Sequence, residues 1–228
     1  MRLHFDLQIP EQASESITVD IDQFVIAGWA GRDLAAIEHH IEELAALGVP
    51  RPSAVPLYYR VAANQLVQEE RIQVVGGDSS GEAEVLVFMH RGELLVSLTS
   101  DHTDRRLESH SVALSKQACP KPVATTAWRH ADVAAHWDRL ELYAEIEKDG
   151  QTRVYQHGPL AGLRTPADLI AGHWDGGVLP AGTAMSCGSV AAQGGIRPAA
   201  AFAMELRDPV RRRVLRHRYA TDVLPHVA

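Results

Sequence analysis

Glu82 and Glu84, in the run Gly81-Glu82-Ala83-Glu84-Val85-Leu86-Val87-Phe88, have the type and spacing to do chemistry together. The apolar residues that follow read as a strand, and residues two apart in a strand point to the same side. Two adjacent carboxylates repel unless something positive lies between them. Such a pair either faces solvent or clamps a cation, and a hard divalent ion such as Mg²⁺ or Mn²⁺ suits carboxylate oxygen best. A second run is Ser100-Asp101-His102-Thr103-Asp104-Arg105-Arg106-Leu107-Glu108. Asp101 can complete a three-carboxylate site, with Asp104 as the alternative third ligand. Arg105 can hold a substrate carboxylate in its planar fork. The bland alternative for this run is a charged surface turn. A third candidate is His39-His40-Ile41-Glu42-Glu43. Residues three apart share a helix face, so Glu43 can orient the His40 imidazole to activate water. His39 and Glu42 have the same spacing, and a solvated, charge-laced helix face is the competing reading.

The elements that must position these residues are mostly strands. Leu3–Ile9 and Ile17–Val25 alternate apolar and polar residues. Asp33 reads as the N-cap of a helix whose apolar positions are Leu34, Ile37, Ile41, Leu44 and Leu47, ended by Gly48 and Pro50. Further strands are expected at Leu57–Val61, Ile72–Val75, Ala83–Phe88, Leu94–Leu98, Arg139–Lys148, Thr152–Gln156, Thr183–Cys187, Ala200–Leu206 and Val214–Tyr219. Turns such as Arg91-Gly92 and Asp149-Gly150 join them. Thr165 opens a short helix reaching about Ala171. Helices are few and do not alternate with strands, which argues against a doubly wound parallel sheet. The pattern predicts a mainly β (α+β) fold, a mixed, largely antiparallel β-roll or sandwich with short helices. Residues 1–56 supply N-terminal strands and a lid helix packed on a main body over 57–228, the whole forming one unit.

The chain has 228 residues, 46% of them hydrophobic, and a formal net charge of −7. That balance disfavours nucleic acid and anionic membrane surfaces. An anionic substrate then needs a local cation. There is no 18-residue apolar run and no secretory leader pattern, so a cytoplasmic protein with reduced, buried Cys119 and Cys187 is expected. Gly76-Gly77-Asp78-Ser79-Ser80-Gly81 lacks the phosphate-loop lysine and reads as a flexible loop. The basic run Arg211-Arg212-Arg213 with Arg216-His217-Arg218 reads as a solvated edge strand, not a phosphate or RNA surface.

Taken in order, these segments resemble the fumarylacetoacetate hydrolase superfamily. Its Glu-x-Glu strand is similar to Glu82-Ala83-Glu84. Its Asn-Asp-x-Ser/Thr-x-Arg-Asp-x-Gln segment is similar to Asp101 through Glu108. Its lysine before a proline-rich turn matches Lys116 in Leu114-Ser115-Lys116-Gln117-Ala118-Cys119-Pro120-Lys121-Pro122. Asp149-Gly150, Gln156-His157-Gly158 and Leu179-Pro180-Ala181-Gly182 through Gly188-Ser189 follow in the family's order. Gly31-Arg32-Asp33 with His40 and Glu43 resembles the acylpyruvase lid, and Pro56-Leu57-Tyr58-Tyr59-Arg60 the strand after it. Ordered blocks over Leu57 to Leu206 are far more specific than any one of them.

The resemblance implies the β-roll of that family's catalytic domain and an Mg²⁺ or Mn²⁺ ion held by Glu82, Glu84 and Asp101. It implies a small anionic oxo-acid substrate contacted by Arg105, Glu108, Ser189 and Tyr59, with His40, Glu43 and Lys116 in catalytic roles, and a homodimer. The implied reaction is hydrolysis of a C–C bond in an acylpyruvate-type substrate through a stabilised enolate. Hydratase, decarboxylase or isomerase chemistry on the same site is the alternative, and a non-catalytic binding protein on this fold is the rival from another class. The chain departs from the family pattern at Glu108, where glutamine is usual, at Thr183 and Ser189, and in the short spacing from Glu84 to Asp101.

Overall fold

A computed structural model of the chain describes residues 1–46 and 48–227. Two sheets make its body. The larger has eight strands in the order Glu15–Asp20, Arg2–Leu7, Thr126–Arg129, Glu93–Ser100, Ala83–His90, Thr183–Ser189, Gln23–Gly28, Leu57–Val61. The smaller has five, in the order Gln151–Pro159, Glu141–Lys148, Ala201–Asp208, Arg213–Leu224, Arg71–Val75. Pairing is mixed: Gln23–Gly28 runs parallel to Thr183–Ser189, and most other neighbours are antiparallel. The mainly β, rolled-sandwich class expected from the pattern is the one observed.

The central strand Ala83–His90 is buried through Phe88 rather than alternately. Its two faces enter two cores. Val85 and Val87 join Trp128, Leu142 and Phe202 between the sheets. Leu86 and Phe88 join Leu3, Phe5 and Phe24 on the other face, where the large sheet curls and Phe5 stacks on Phe88 at 4.6 Å. A strand buried on both faces reads as a continuous apolar run. Each such large side chain contributes roughly 1.5–3 kcal/mol on burial.

Strands from the first 56 residues are members of the large sheet. The helix that follows them, α1 (Leu34–Ala46), is capped by Asp33, whose Oδ1 accepts from the Ala35 and Ala36 amides at 3.0 and 3.1 Å. It rests on the body through Ile41, which is buried, while Leu34 is exposed. Leu47 and the Leu44 side chain, expected on its apolar face, lie outside the described residues. Among the described residues three further α-helices are short: α2 (Arg105–Glu108), α3 (Val112–Gln117) and α4 (Pro166–His173). Thr165 and Asp168 form a capping box on α4.

Several expectations are corrected. Ile17–Val25 is two strands broken at Ile21-Asp22, because the amides of Asp22 and Gln23 both turn to the Gly182 carbonyl (2.7 and 3.0 Å). The basic run near Arg213 does lie on an edge: it borders Ala201–Asp208 alone, and Arg71–Val75 pairs in parallel only with the later part of that strand, Ala220–Leu224. Its arginines pair along the ladder, Arg216 with Glu205 and Arg218 with Glu147. The glycine-rich segment is not a free loop: Ser79–Ser80 is buried and pairs with Thr103–Asp104. Gly81 is required there, as a Cβ would stand 2.4 Å from the Tyr219 hydroxyl. Both cysteines are buried and free.

Candidate functional site

The Glu-x-Glu segment and the Asp101 segment meet because their strands are neighbours. Ala83 registers with Ser100 and Glu84 with Thr99 in the antiparallel pair, and the Asp101 amide donates to the Glu82 carbonyl at 2.9 Å. This places Glu82, Glu84 and Asp101 at one end of two adjacent central strands. Lys116, from α3, reaches in beside them and hydrogen-bonds Asp101 Oδ2. Lys121, fully buried, approaches the other Asp101 oxygen at 3.4 Å and donates to the carbonyls of His102 and Lys116.

The charges are set by burial and by one another. Burial alone would raise the Asp101 pKa, but Lys116 and Lys121 outweigh it and hold the carboxyl well below its usual range. Burial would discharge Lys116, yet Asp101, Glu82 and Glu84 keep it firmly protonated. Lys121 has less compensation, and burial pulls it down to about 8. Glu84 differs from its neighbours: it makes no ion pair among the described residues, accepts from the Gly188 amide at 3.2 Å and feels Lys116 at longer range. Burial, then the Asp101 charge, push it up to about 8. The nearby Ser186 hydroxyl is buried without a partner.

Arg105 is expected to offer its fork to a ligand, but the structure shows that fork occupied. Its Nη2 donates to Glu82 at 2.8 Å, its Nη1 to Glu108 at 3.0 Å, and its Nε to Ser80 at 2.7 Å. The carboxylate at 108 is thereby neutralised, which answers the repulsion its replacement of glutamine implies. Asp104 caps α2, its Oδ1 accepting from the Leu107 amide at 2.9 Å. Ser189 donates to the Ala83 carbonyl at 3.1 Å and accepts from Gln156 at 2.5 Å.

Sequence reasoning gave no role to Gln156 or His102, though both are buried. Gln156 holds the start of the Glu84 strand, accepting from the Ala83 amide at 2.8 Å. The signal was its place in the Gln-x-Gly block. His102 lies between Tyr219 (2.8 Å) and Ser79 (2.9 Å), kept neutral by burial at a pKa of about 3. Nothing in the sequence marks it.

The His40 pair exists but stands apart. His40 Nδ1 and His39 Nε2 each lie 3.4 Å from Glu43, all three side chains more than half exposed. The link to the carboxylates runs through aromatic residues. The Trp29 ring lies 5.9 Å from His40, its indole N–H donates to Tyr59 at 3.3 Å, and the Lys116 ammonium sits 5.5 Å from the Tyr59 ring centre. Trp29 adopts φ +59°, the left-handed region that bulky residues rarely enter.

The residues can be tested against a divalent ion on their own chemistry. Among the described residues no three of His, Cys, Asp or Glu are drawn together into a ready-made metal cluster. Two of the three carboxylates are instead taken by cations of the chain, Glu82 by Arg105 and Asp101 by Lys116. The third, Glu84, is a buried carboxyl oxygen donor in no ion pair among the described residues, beside the buried Ser186 hydroxyl. That donor set is of the type a hard ion takes, so the residues fit by type. A cleft of about 410 Å³, lined in part by Asp78, Asp104, Arg106 and His110, opens elsewhere, on the side of the Asp104 cap. No helix among the described residues is long and apolar enough to cross a membrane.

Comparison with known proteins gives three results. A model of the family described as "Protein of unknown function (DUF2848)" matches residues 27–219. No curated protein matches the chain. Among solved structures, 2-keto-3-deoxyarabinonate dehydratase is similar with a TM-score of 0.65 and 16% identity, covering 93% of this chain and 79% of that one. The same dehydratase complexed with magnesium and 2,5-dioxopentanoate gives 0.59 and 18%, covering 96% and 79%. The 4-oxalocrotonate decarboxylase from Pseudomonas putida G7, complexed with magnesium and adipate, gives 0.54 and 17%, covering 90% and 78%. These likenesses establish a shared fold.

Proposed function

We propose, from the premise that the chain belongs to the DUF2848 family, that it is a divalent-metal-dependent lyase of small oxo-carboxylic acids, akin to the fumarylacetoacetate hydrolase superfamily. Hydratase, dehydratase or decarboxylase chemistry is meant. The observation that carries this reading is Glu84: a buried carboxyl in no ion pair among the described residues, set against Asp101, Lys116 and Glu82. Structural neighbours whose names include an oxo-acid dehydratase and a decarboxylase with magnesium support it.

In this reading Glu82, Glu84 and Asp101 hold Mg²⁺ or Mn²⁺. The bound ion supplies Lewis-acid polarisation of a carboxylate and its adjacent carbonyl. Lys116, kept charged by its three acidic neighbours, donates to substrate oxygen that gains negative charge. Arg105 fixes Glu82 and Glu108, and Gln156 with Ser189 fixes the strand that carries Glu84. The buried surroundings keep bulk water out, which strengthens each of these interactions.

The lyase reading is favoured over hydrolysis because His40 and Glu43 are exposed and reach the carboxylates only by way of Trp29 and Tyr59. Hydrolytic C–C cleavage is the second reading, and the 3.4 Å contact of Glu43 with His40 is what favours it.

Mg²⁺ or Mn²⁺ at 100 times its dissociation constant should stabilise the protein by about 2.7 kcal/mol, roughly 5–10 °C in Tm. Glu84→Ala should abolish that gain. Oxaloacetate, 2-keto-3-deoxy sugar acids and acylpyruvates form the assay panel. No metal-dependent stabilisation and no turnover would reduce the protein to a binding module on this fold.

A further inference from the structure

Tyr155 is the buried side chain that the site as described leaves unexplained. It is fully buried, yet its hydroxyl has no hydrogen-bond partner among the described residues. An unsatisfied buried hydroxyl costs stability and calls for a reason. Its position is also unusual. In the pairing with Glu141–Lys148, Ala144 registers with Gln156 and Glu145 with Val154, so Tyr155 is the extra residue of a β-bulge. Bulges re-aim side chains, and this one lets Tyr155 and Gln156 both turn inward. The groups that act on the phenol are Glu82, a candidate metal residue, then Arg105, the Arg197 amide and Ser80.

The second element is Arg197. Its guanidinium carbon lies 5.1 Å from the centre of the Tyr155 ring. Its Nη1 donates to the carbonyls of Gln193 and Gly195, both at 2.7 Å. These bonds hold the guanidinium in place and leave Nε and Nη2 without a protein partner among the described residues. The segment that carries it is tied to the bulge, because the Gln193 amide donates to the Tyr155 carbonyl at 2.7 Å and Ala192 bridges to Gln156. A neutral hydroxyl donor and a planar cation, anchored together, suit one carboxylate. Arg105 is not free for that task, its fork being closed on Glu82, Glu108 and Ser80.

We infer that the Tyr155 hydroxyl and Arg197 form the subsite that holds the carboxylate of the substrate, the task that Arg105 would otherwise take. This rests on the oxo-acid reading of the site. It adds that acids are bound through an arginine on the segment after Ser189, so neutral ketones are excluded.

The test uses the whole protein and four probes: Mg²⁺ alone, pyruvate, oxalate, and methyl pyruvate as the neutral control. Binding is measured by calorimetry, with each acid titrated both with and without Mg²⁺, and Tm is recorded for each variant. Tyr155→Phe and Arg197→Met should weaken pyruvate or oxalate at least about tenfold, the size of a lost hydrogen bond to a charged group. Mg²⁺ binding should be unchanged, and methyl pyruvate should bind the wild type no better than the variants. Tyr155→Phe should keep or raise Tm, because the hydroxyl it removes is unpaired; a merely structural hydroxyl would lower it. Variants that bind the acids as tightly as the wild type, or a wild type that binds neither acid, overturn the subsite. A wild type that binds the acids through Tyr155 and Arg197 but shows no response to Mg²⁺ sinks the metal reading and leaves the subsite standing.

Discussion

The cluster around Lys116 and the His40–Glu43 pair on α1 are built from similar parts, an acid set against a base. Their surroundings differ. Asp101 and Lys116 are almost wholly buried, whereas His40 and Glu43 are each more than half exposed. Water screens the second pair and leaves it worth little. Burial makes the first conditional: each charge is tolerable only while its partner is present. Spacing in the chain suggests both pairs equally, and only the fold separates them.

Removing one partner should expose that difference most sharply. Asp101→Ala leaves Lys116 and Lys121 buried without their shared carboxylate, and should destabilise the protein by about 3–5 kcal/mol in a urea titration. A loss below 1 kcal/mol would mean water reaches the cluster freely. Glu84→Gln should act in the opposite direction when metal is absent. With its folded pKa at about 8 against an ordinary 4.5, Glu84 binds more protons folded than unfolded across that window. Its stabilising contribution is complete at acid pH and is lost as pH rises through the window. The glutamine variant should therefore gain a few kcal/mol relative to wild type at pH 8, each pKa unit being worth about 1.4 kcal/mol. It should also flatten the pH profile and lose the gain from Mg²⁺. A profile identical to wild type would show that Glu84 is hydrated.

Gln156→Ala should cost about 1–3 kcal/mol, since it orphans the Ala83 amide. It should lower metal affinity as well, by loosening the strand that carries Glu84. His40→Ala should change stability by less than about 0.5 kcal/mol. Its effect on turnover decides between the two reactions. Unchanged turnover fits a lyase, and a loss of a hundredfold or more would restore hydrolysis with His40 as base.

The sequence made much of the scaffold legible because its signals were local. Leu57–Val61 was delimited by its own pattern, and the Asp33 and Thr165 caps by their side chains. Thr126–Arg129 is not legible, as four residues carry too little periodicity, and their pairing with Glu93–Ser100 is non-local. The acidic trio is legible from spacing plus resemblance. What spacing could not show was occupancy: Arg105 reads as a free fork, and only contacts reveal that Glu82, Glu108 and Ser80 fill it. Tyr155 was invisible for a related reason, since a bulge leaves no mark in alternation.

The place of Gln23–Gly28 in the large sheet bears on how the chain is made. This apolar strand pairs with Leu57–Val61 on one side and with Thr183–Ser189 on the other. On a ribosome adding 5–20 residues per second, roughly ten to thirty seconds separate its emergence from that of its second neighbour. For that interval Phe24, Val25 and Ile26 have one open edge, a template for pairing with the wrong chain. Contacts of such long sequence separation also slow closure, so that edge stays open until the strand ending at Ser189 has left the tunnel.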